Sequence, residues 1–383
     1  MSMNSDQQML EDSARQFFAE RSPPAAVRSN RAAGRSFDPD LWQQIAELGF
    51  TGALIPEQYG GSGIGYRGLA VVLEAAGRSL AASPLLQSGF IGAAAVLRHG
   101  SPAQQASVLP RIAAGELTLA LAVDEQPHHH PEDTRVRARR VADSWVLDGR
   151  KRLVADGDSA TLLLTLARLD TAESGGGRLH WFLVPAATAG VTRRRLHTVD
   201  GEGFADVEFA AVQLDGDAVL GNASAGETAT NEWQDVLDVA RIGIASSMQG
   251  AAEAALALTL DHLKTRSQFG QLIGSFQALQ HRVARLHVEL QLARAAVTAA
   301  LDALDAGGEA STGAALHRLA SLCKALCGEI LHDVSNETVQ LHGGIGMTDV
   351  HDSGLFLKRA RVLETLYGTA SYHRDRYARL IGI

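Results

Sequence analysis

The sequence has two cysteines in 383 residues, no surplus of basic charge and no apolar run long enough to cross a bilayer. Two cysteines exclude a fold stapled by several disulfides. Cys323 and Cys327 lie four apart in an alanine- and leucine-rich stretch, so they share a helix face as small apolar residues. Within one helical turn they bridge poorly, and the spacing matches no zinc or redox motif. A formal net charge of −8 argues against the broad basic footprint of a nucleic-acid binder. The short basic clusters Arg135–Arg140 and Arg193–Arg195 are interleaved with β-formers and read as solvated strand faces. Apolar runs such as Leu162–Leu164 and Ala254–Leu258 fall far short of a membrane span. The opening MSMNSDQQML has no basic stretch followed by an apolar core, so no secretory leader is expected. A cytoplasmic protein without nucleic-acid or membrane partners is the expectation.

What is present changes period twice. Residues 1–115 read as helices, with Met9, Leu10, Ala14, Phe17 and Phe18 on one apolar face. Asp38-Pro39 is an N-cap followed by proline at the first helical position. Leu41, Trp42, Ile45 and Leu48 make the stripe, and Gly49 ends it. Ser101 to Gln104 has the form of a capping box, opening a helix that stops near Gly115, and Leu69–Leu80 and Gly89–His99 are further helices. Residues 116–227 alternate instead. Strands are expected at Leu117–Val123, Thr134–Arg140, Trp145–Val154, Ala160–Leu166, Leu179–Val184, Gly190–Leu196 and Ala205–Leu214. Turns fall at Ala142–Ser144 and at the loop Glu173–Gly177. With no long helical pattern between strands, an antiparallel sheet is expected rather than a βαβ unit. Residues 228–383 return to helices, with long ones at Trp233–Arg266, Phe276–Ala306 and Leu316–Leu341, the pattern of a bundle. The fold class is therefore α+β in the order helices, sheet, helices.

Gly63-Ile-Gly65-Tyr-Arg-Gly68 fits GxGxxG, but a dinucleotide fingerprint also needs a preceding strand. Ile55–Gly61 reads as a loop, so these glycines are assigned to a tight turn between domains.

Four stretches resemble the acyl-CoA dehydrogenase family, in the family's order and across nearly the whole chain. Ile55-Pro-Glu-Gln-Tyr-Gly-Gly61 is similar to its IPxxYGG loop, and Val219-Leu-Gly221 to the VLG that closes its sheet domain. Arg266-Ser-Gln-Phe-Gly270, continued to His281, resembles RxxFGxxIxxFQxxQH, and Gln340 to Gly346 resembles QxxGGxG. The resemblance implies an N-terminal helical domain, a middle antiparallel β-domain and a C-terminal four-helix bundle, with FAD as cofactor and an acyl-CoA as substrate. The reaction it implies removes an α-proton and passes the β-hydride to the flavin.

Carried over residue by residue, the motifs imply cofactor contacts at Arg266, Gln268, Phe269, Phe276, Gln277, Gln340, Gly343, Gly344 and Thr369. A planar guanidinium suits a diphosphate, and glycine lets backbone approach it closely. Arg241 matches an arginine that contacts the acyl-CoA, with a structural ion pair as its alternative.

The same alignment exposes departures. The family's Tyr-Glu-Gly-Thr, whose glutamate is the base, reads Leu366-Tyr367-Gly368-Thr369 here, so Tyr367 occupies the base position. The other known location, just before the arginine, holds Ala240. A positioned base contributes about 10²–10⁴-fold, or roughly 3–5 kcal/mol of barrier, and a phenol with pKa about 10 is a poor substitute. The flavin-facing TExxxGSD stretch reads Asp124 to Pro131, and Trp-Ile-Thr reads Leu153-Val-Ala155, without the hydroxyl and the aromatic wall. Glu364 is a weak substitute base and Asp238 a weaker one. The run His128–His130 lacks ligand spacing, so no metal is expected and an exposed loop is its reading. Leu109–Leu119 and Thr365–His373 fit the small subunits of two-subunit enzymes, of the pimeloyl-CoA dehydrogenase small-subunit type. That resemblance implies a homologous large subunit in a heterotetramer that brings the base, the other assembly being a homo-oligomer. The competing reading is a non-catalytic structural or regulatory homologue. A relative running another flavin reaction, such as nitroalkane oxidation, would still need a base.

Overall fold

The structure, a computed structural model, describes residues 5–170, 177–221 and 232–383. The loop expected at Glu173–Gly177 falls largely outside these residues, and so does the boundary expected after 227.

Local chemistry sets the first helices. α1 (Ser5–Arg21) buries Ala14 and Phe18, but Met9 is exposed. At 3.6 residues per turn, Met9 projects about 140° away from Ala14, off the buried stripe. α2 (Pro24–Ala32) follows. α3 (Pro39–Glu47) starts where the Asp38 carboxylate accepts the Asp40 N–H, and it buries Leu41, Trp42 and Ile45. Leu48 departs from expectation: it lies beyond the last helical residue, where the chain turns at Gly49 (φ 75°), and it is exposed. α4 (Gly65–Arg78) is preceded by a short 3₁₀ turn at Glu57–Tyr59, with no strand before it among the described residues. The dinucleotide reading therefore fails on topology. The helix expected at Gly89–His99 begins earlier as a π-helical turn, Leu85–Gly92, and becomes regular only at α5 (Ala93–His99). α6 (Pro102–Ala113) carries the complete Ser101–Gln104 capping box.

Seven strands form one sheet: β1 (Leu119–Ala122), β2 (Arg137–Val141), β3 (Ser144–Ala155), β4 (Leu162–Leu169), β5 (Leu179–Pro185), β6 (Val191–His197) and β7 (Gly203–Leu214). The order is β1-β4-β2-β3-β7-β6, with β5 on the other edge of β4. Pairings β2–β3, β3–β7, β6–β7 and β4–β5 are antiparallel, as expected. β1 and β2, however, run parallel to successive stretches of β4, which corrects the purely antiparallel expectation. The reason is connectivity: the β2–β3 hairpin separates β1 from β4 and serves as the crossover that a helix usually provides. At the start of β1 the π-turn supplies ladder partners, Ser88 Oγ accepting the Leu119 N–H at 2.8 Å and Gln87 Oε1 that of Leu121 at 3.3 Å.

The last segment has α7 (Glu232–Thr265), a small hairpin of β8 (Ser267–Gln268) and β9 (Gln271–Leu272), then α8 (Gln277–Ala306), α9 (Gly313–His342), α10 (Ser353–Leu363) and α11 (Ala370–Ile381). α9 is the axis of this group, with α8, α10 and α11 packed on it and Thr338 bonded to Thr259 of α7 at 3.0 Å. Cys323 and Cys327 lie buried and unbridged on its inner face, where desolvation pushes both thiols up. No helix among the described residues is long and apolar enough to cross a membrane.

By compactness the chain divides into two units. One joins Met1–Ser29, Tyr66–Ala81 and Arg241–Ile383; the other joins Asn30–Gly65 and Ala82–Ala240. The division cuts between Gly65 and Tyr66 and within α7. In the first unit α4 and α7 cross at glycine: a Cβ on Gly250 would stand 2.0 Å from Glu74 O, and one on Gly77 would stand 2.2 Å from Ser247 O. Beside this crossing Arg294 pairs with both Glu74 and Glu253, yet burial outweighs it and pushes the Glu74 carboxyl up to about 7. Gly250→Ala should lower the unfolding free energy by roughly 1–3 kcal/mol through overpacking. Gly354→Ala, whose new Cβ meets nothing within 4 Å, should be near neutral. Urea denaturation of both variants checks this, and equal midpoints would refute the crossing's tightness.

Candidate functional site

The turn joining α10 to α11 is tightly constrained. Residues 364–367 form turns rather than a helical continuation, so Glu364 and Tyr367 do not share a helix face. Tyr367 takes the left-handed conformation (φ 59°) with only 2% of its surface exposed, and Gly368 follows at φ 110°. A Cβ on Gly368 would lie 2.7 Å from both His373 Nε2 and the Tyr372 ring, so glycine is required on two counts.

Side chains from three helices hold this turn by its carbonyls. Arg241 Nε of α7 donates to Tyr367 O at 3.2 Å, and His373 Nε2 of α11 lies 3.1 Å from the same oxygen. Lys324 Nζ of α9 donates to Gly368 O at 2.8 Å and to Glu364 O at 3.2 Å. Arg241 and Lys324 are both buried, and the Arg241 guanidinium sits 5.7 Å over the Tyr372 ring. Burial, and then the neighbouring Arg241, push the Lys324 ammonium down to about 7. Arg241, expected at the substrate, is thus placed beneath the turn that occupies the base position. Ala240 is buried beside it in sequence, and Asp238 is buried one turn earlier on α7.

Glu364 points its carboxylate elsewhere. It lies 2.9 Å from His332 Nδ1 and 3.1 Å from Arg361 Nη1, on the wall of a cleft of about 690 Å³. Thr369 lines the same cleft, and its hydroxyl accepts the Tyr372 N–H as the N-cap of α11. Lys324 and His373 were not found by sequence reasoning. The signal for Lys324 was available, since one lysine between Cys323 and Cys327 interrupts an otherwise apolar face.

Apart from Thr369, the residues expected to contact a cofactor lie in two places, the β8–β9 hairpin with the start of α8, and the end of α9 with the turn after it. Arg266 leaves α7 into the β8–β9 hairpin, whose two-residue turn places both Phe269 (φ 54°) and Gly270 (φ 78°) at positive φ. Such a turn favours Asn-Gly or Gly-Gly. Phe269 instead presents a ring that is 89% exposed, edge-on to Phe276 at 6.2 Å. Gln268 and Gln277 are exposed on the same hairpin and at the start of α8. Gln340 is exposed near the end of α9, and Gly343 (φ 62°) ends that helix. Gly343 and Gly344 are exposed, and a Cβ on either would meet nothing within 4 Å. Their backbone is open to a bulky anionic ligand, and the exposed Arg266 separately offers a guanidinium of the kind that suits a diphosphate.

In the second unit the segment Asp124–Pro131 is anchored by its carboxylates. Glu125 accepts the Arg135 and Val136 N–H groups and Lys151 Nζ, at 2.7–3.0 Å. Burial pushes Lys151 down to about 8. Asp124 binds His129 Nδ1 at 2.8 Å, so His129 is buried while His128 and His130 are exposed. The histidine run is therefore not a uniformly exposed loop, because its middle member turns inward to a carboxylate. No cluster with metal-ligand geometry occurs among the described residues. Leu153 is exposed at positive φ (52°), and Ala155 is buried.

Sequence models of the acyl-CoA dehydrogenase N-terminal, middle and C-terminal domains match residues 4–116, 129–215 and 231–382. The chain belongs to the acyl-CoA dehydrogenase family. Acyl-CoA dehydrogenase IpdE2 of Mycobacterium tuberculosis is 32% identical over 361 residues, covering 93% of this chain and 91% of that protein. Among solved structures, the steroid ACAD Tcur3481–Tcur3483 matches with a TM-score of 0.87 at 29% identity, over 98% of this chain and 97% of the other. The ChsE4–ChsE5 complex from Mycobacterium tuberculosis shares the fold, with a TM-score of 0.89 at 24% identity over 99% and 98% of the two chains. Acyl-CoA dehydrogenases are FAD-dependent oxidoreductases, so FAD is the cofactor to be tested against this chain. The first unit's open glycines, arginine and exposed Phe269 fit it.

Lys324 yields a pH-dependent expectation. A lysine whose folded pKa is depressed to about 7 stabilises the fold above its unfolded value near 10.5, and that contribution is lost as pH falls through about 7. Wild-type stability should rise with pH across this window. Lys324→Met should flatten the rise and cost roughly 2–4 kcal/mol at pH 9 by leaving two carbonyls unmatched. Denaturation midpoints from pH 6 to 9.5 decide it, and parallel curves for the two proteins would refute the assignment.

Proposed function

We propose that this acyl-CoA dehydrogenase chain is one half of a heteromeric FAD enzyme whose catalytic carboxylate lies on a homologous partner subunit. The observation that carries this reading is the state of position 367. It holds a buried tyrosine in a left-handed turn, while the nearby Glu364 is committed to His332 and Arg361. Desaturation of an acyl thioester removes an α-proton and a β-hydride, and FAD, when bound, supplies the hydride acceptor. This chain's residues bind and shape. Arg266, Gln268, Phe269, Phe276 and Gln277 hold one part of the cofactor, and Gln340, Gly343, Gly344 and Thr369 another. Arg241, Lys324 and His373 fix the wall at position 367. The related steroid ACAD Tcur3481–Tcur3483 and the ChsE4–ChsE5 complex both bear two-component names, which supports a heterotetramer over a homo-oligomer. The free, buried thiols suit a reducing cytoplasm.

A second reading, a non-catalytic homologue with a structural or regulatory role, draws on Leu153 and Ala155, which offer a flavin neither an aromatic wall nor a hydroxyl. The two part on one experiment. The chain is purified alone and then co-expressed with its encoded homologue, and flavin absorbance and native mass are recorded for each. The proposal expects colourless protein alone and a yellow hetero-oligomer with the partner. A yellow homo-oligomer that bleaches on adding acyl-CoA would overturn it, and a colourless complex would favour the non-catalytic reading.

A further inference from the structure

In the second unit β3 and β7 pair Lys151 with Val207 and next pair Val154 with Ala205, so Arg152 and Leu153 together oppose Asp206. That is a β-bulge, which bends a strand and re-aims its side chains. Ala205 and Val207 belong to the sheet's core, so Asp206 lies on the other face, where its almost wholly buried carboxylate holds the bulge. Its Oδ1 accepts the N–H of Leu153 at 3.3 Å, and Leu153 sits exposed in the left-handed conformation (φ 52°). Its Oδ2 accepts Nη2 of Arg150 from β3 and, at 2.6 Å, Nη2 of Arg194, its register partner on β6. Burial would raise the Asp206 carboxyl, but the bonds from Arg150 and Arg194 hold it below its usual range, so it stays ionised. Arg152 stands apart. Its Nε lies 3.9 Å from Oδ1, too far for a hydrogen bond, and is enclosed without a partner among the described residues. All three arginine side chains remain partly exposed.

We propose that Arg150, Arg152 and Arg194, gathered by Asp206 on the outer face of the sheet, bind the phosphate groups of a nucleotide. One carboxylate balances one of the three guanidinium groups, and both its oxygens already accept hydrogen bonds. Glu208, exposed and cross-strand from Arg150, offsets a second charge without bonding to any of the three among the described residues. The neighbouring cations are committed elsewhere, Arg193 to Gly157 O and Ala160 O, and Arg195 to Asp158. Arg152 is left uncompensated, and the bulge fixes its backbone beside the other two. A planar guanidinium with several donors suits phosphate oxygens, which accept from more than one arginine at once. The left-handed Leu153 persists because Asp206 pins it, and strained positions of this kind gather at ligand clamps. FAD and an acyl-CoA both carry an adenosine diphosphate portion, and CoA adds a 3′-phosphate. The cluster adjoins Leu153 to Ala155, the stretch that the family resemblance places beside the flavin, and only the choice between these two sources rests on the proposed function.

Isothermal titration of the full chain with ADP, FAD, CoA and 3′-dephospho-CoA as probes tests this. Arg152→Gln removes the uncompensated guanidinium but no hydrogen bond within the protein, so its urea denaturation midpoint should match that of wild type. Its affinity for the probe that contacts the cluster should fall about tenfold, the loss of one charge-assisted hydrogen bond. Glu208→Gln should tighten the same probe about threefold by removing a nearby negative charge. A loss shared by ADP, FAD and both CoA forms assigns the contact to the diphosphate. A loss seen with CoA but not with 3′-dephospho-CoA assigns it to the 3′-phosphate of the substrate. The loss should persist in an Arg266→Gln background, which separates this cluster from the cofactor contacts of the first unit. Wild type that binds none of the probes, an Arg152→Gln variant with unchanged affinity for all four, or a loss that tracks a lowered midpoint would overturn the proposal. None of these readouts depends on where the catalytic carboxylate lies, so failure here leaves the proposed function standing.

Discussion

Burying a lysine and an arginine under one short turn is costly unless every donor finds an oxygen. At this turn backbone carbonyls supply oxygens to both. Glu364, Tyr367 and Gly368 turn theirs inward, where Lys324, Arg241 and His373 meet them from three helices. That arrangement dictates the left-handed Tyr367, the obligatory Gly368 and the sharp entry to α11, whose cap is Thr369. It also separates two side chains that a continuous helix would have kept together. Tyr367 is shut into the core, and Glu364 is turned out to a cleft. The family's base position thus becomes structural, held by cations that would suit a carboxylate as well as they suit a carbonyl.

The regions that fit a cofactor are built on the opposite plan. Phe269, Gly270 and Gly343 all take positive φ, and the two turns present an aromatic ring and the open backbone of Gly343 and Gly344 to solvent. Such conformations are tolerated when a function or a partner repays them. Retained family motifs for the cofactor and a missing carboxylate are compatible when the two halves of the chemistry lie on different subunits.

Much of the architecture could be read from the sequence because local rules agreed with one another. Asp38-Pro39, the Ser101–Gln104 box and the period-2 runs from Trp145 to Leu214 each announce an element, and the structure has them. Errors arose where tertiary context decides. Met9 and Leu48 look like stripe residues but lie off the buried arc or past the helix end, and β4's parallel partners depend on long-range pairing that periodicity does not encode. At the site, the cofactor motifs were legible as contiguous residues. The clamp was not, because Arg241, Lys324, Tyr367 and His373 are brought together only by the packing of α7, α9 and α11. His129 was misread for a related reason, as its partner Asp124 is visible only once the loop closes.

The central claim is that this chain does not supply the base. It is tested most directly by anaerobic stopped-flow reduction of the flavin in the assembled enzyme, using the acyl-CoA that bleaches it fastest, with wild type compared with Tyr367→Phe. Removing the phenolic hydroxyl should leave the reduction rate within about fivefold, since a general base accounts for about 10²–10⁴-fold. A loss of a hundredfold or more, with flavin content unchanged, would make Tyr367 the proton acceptor and contradict the account.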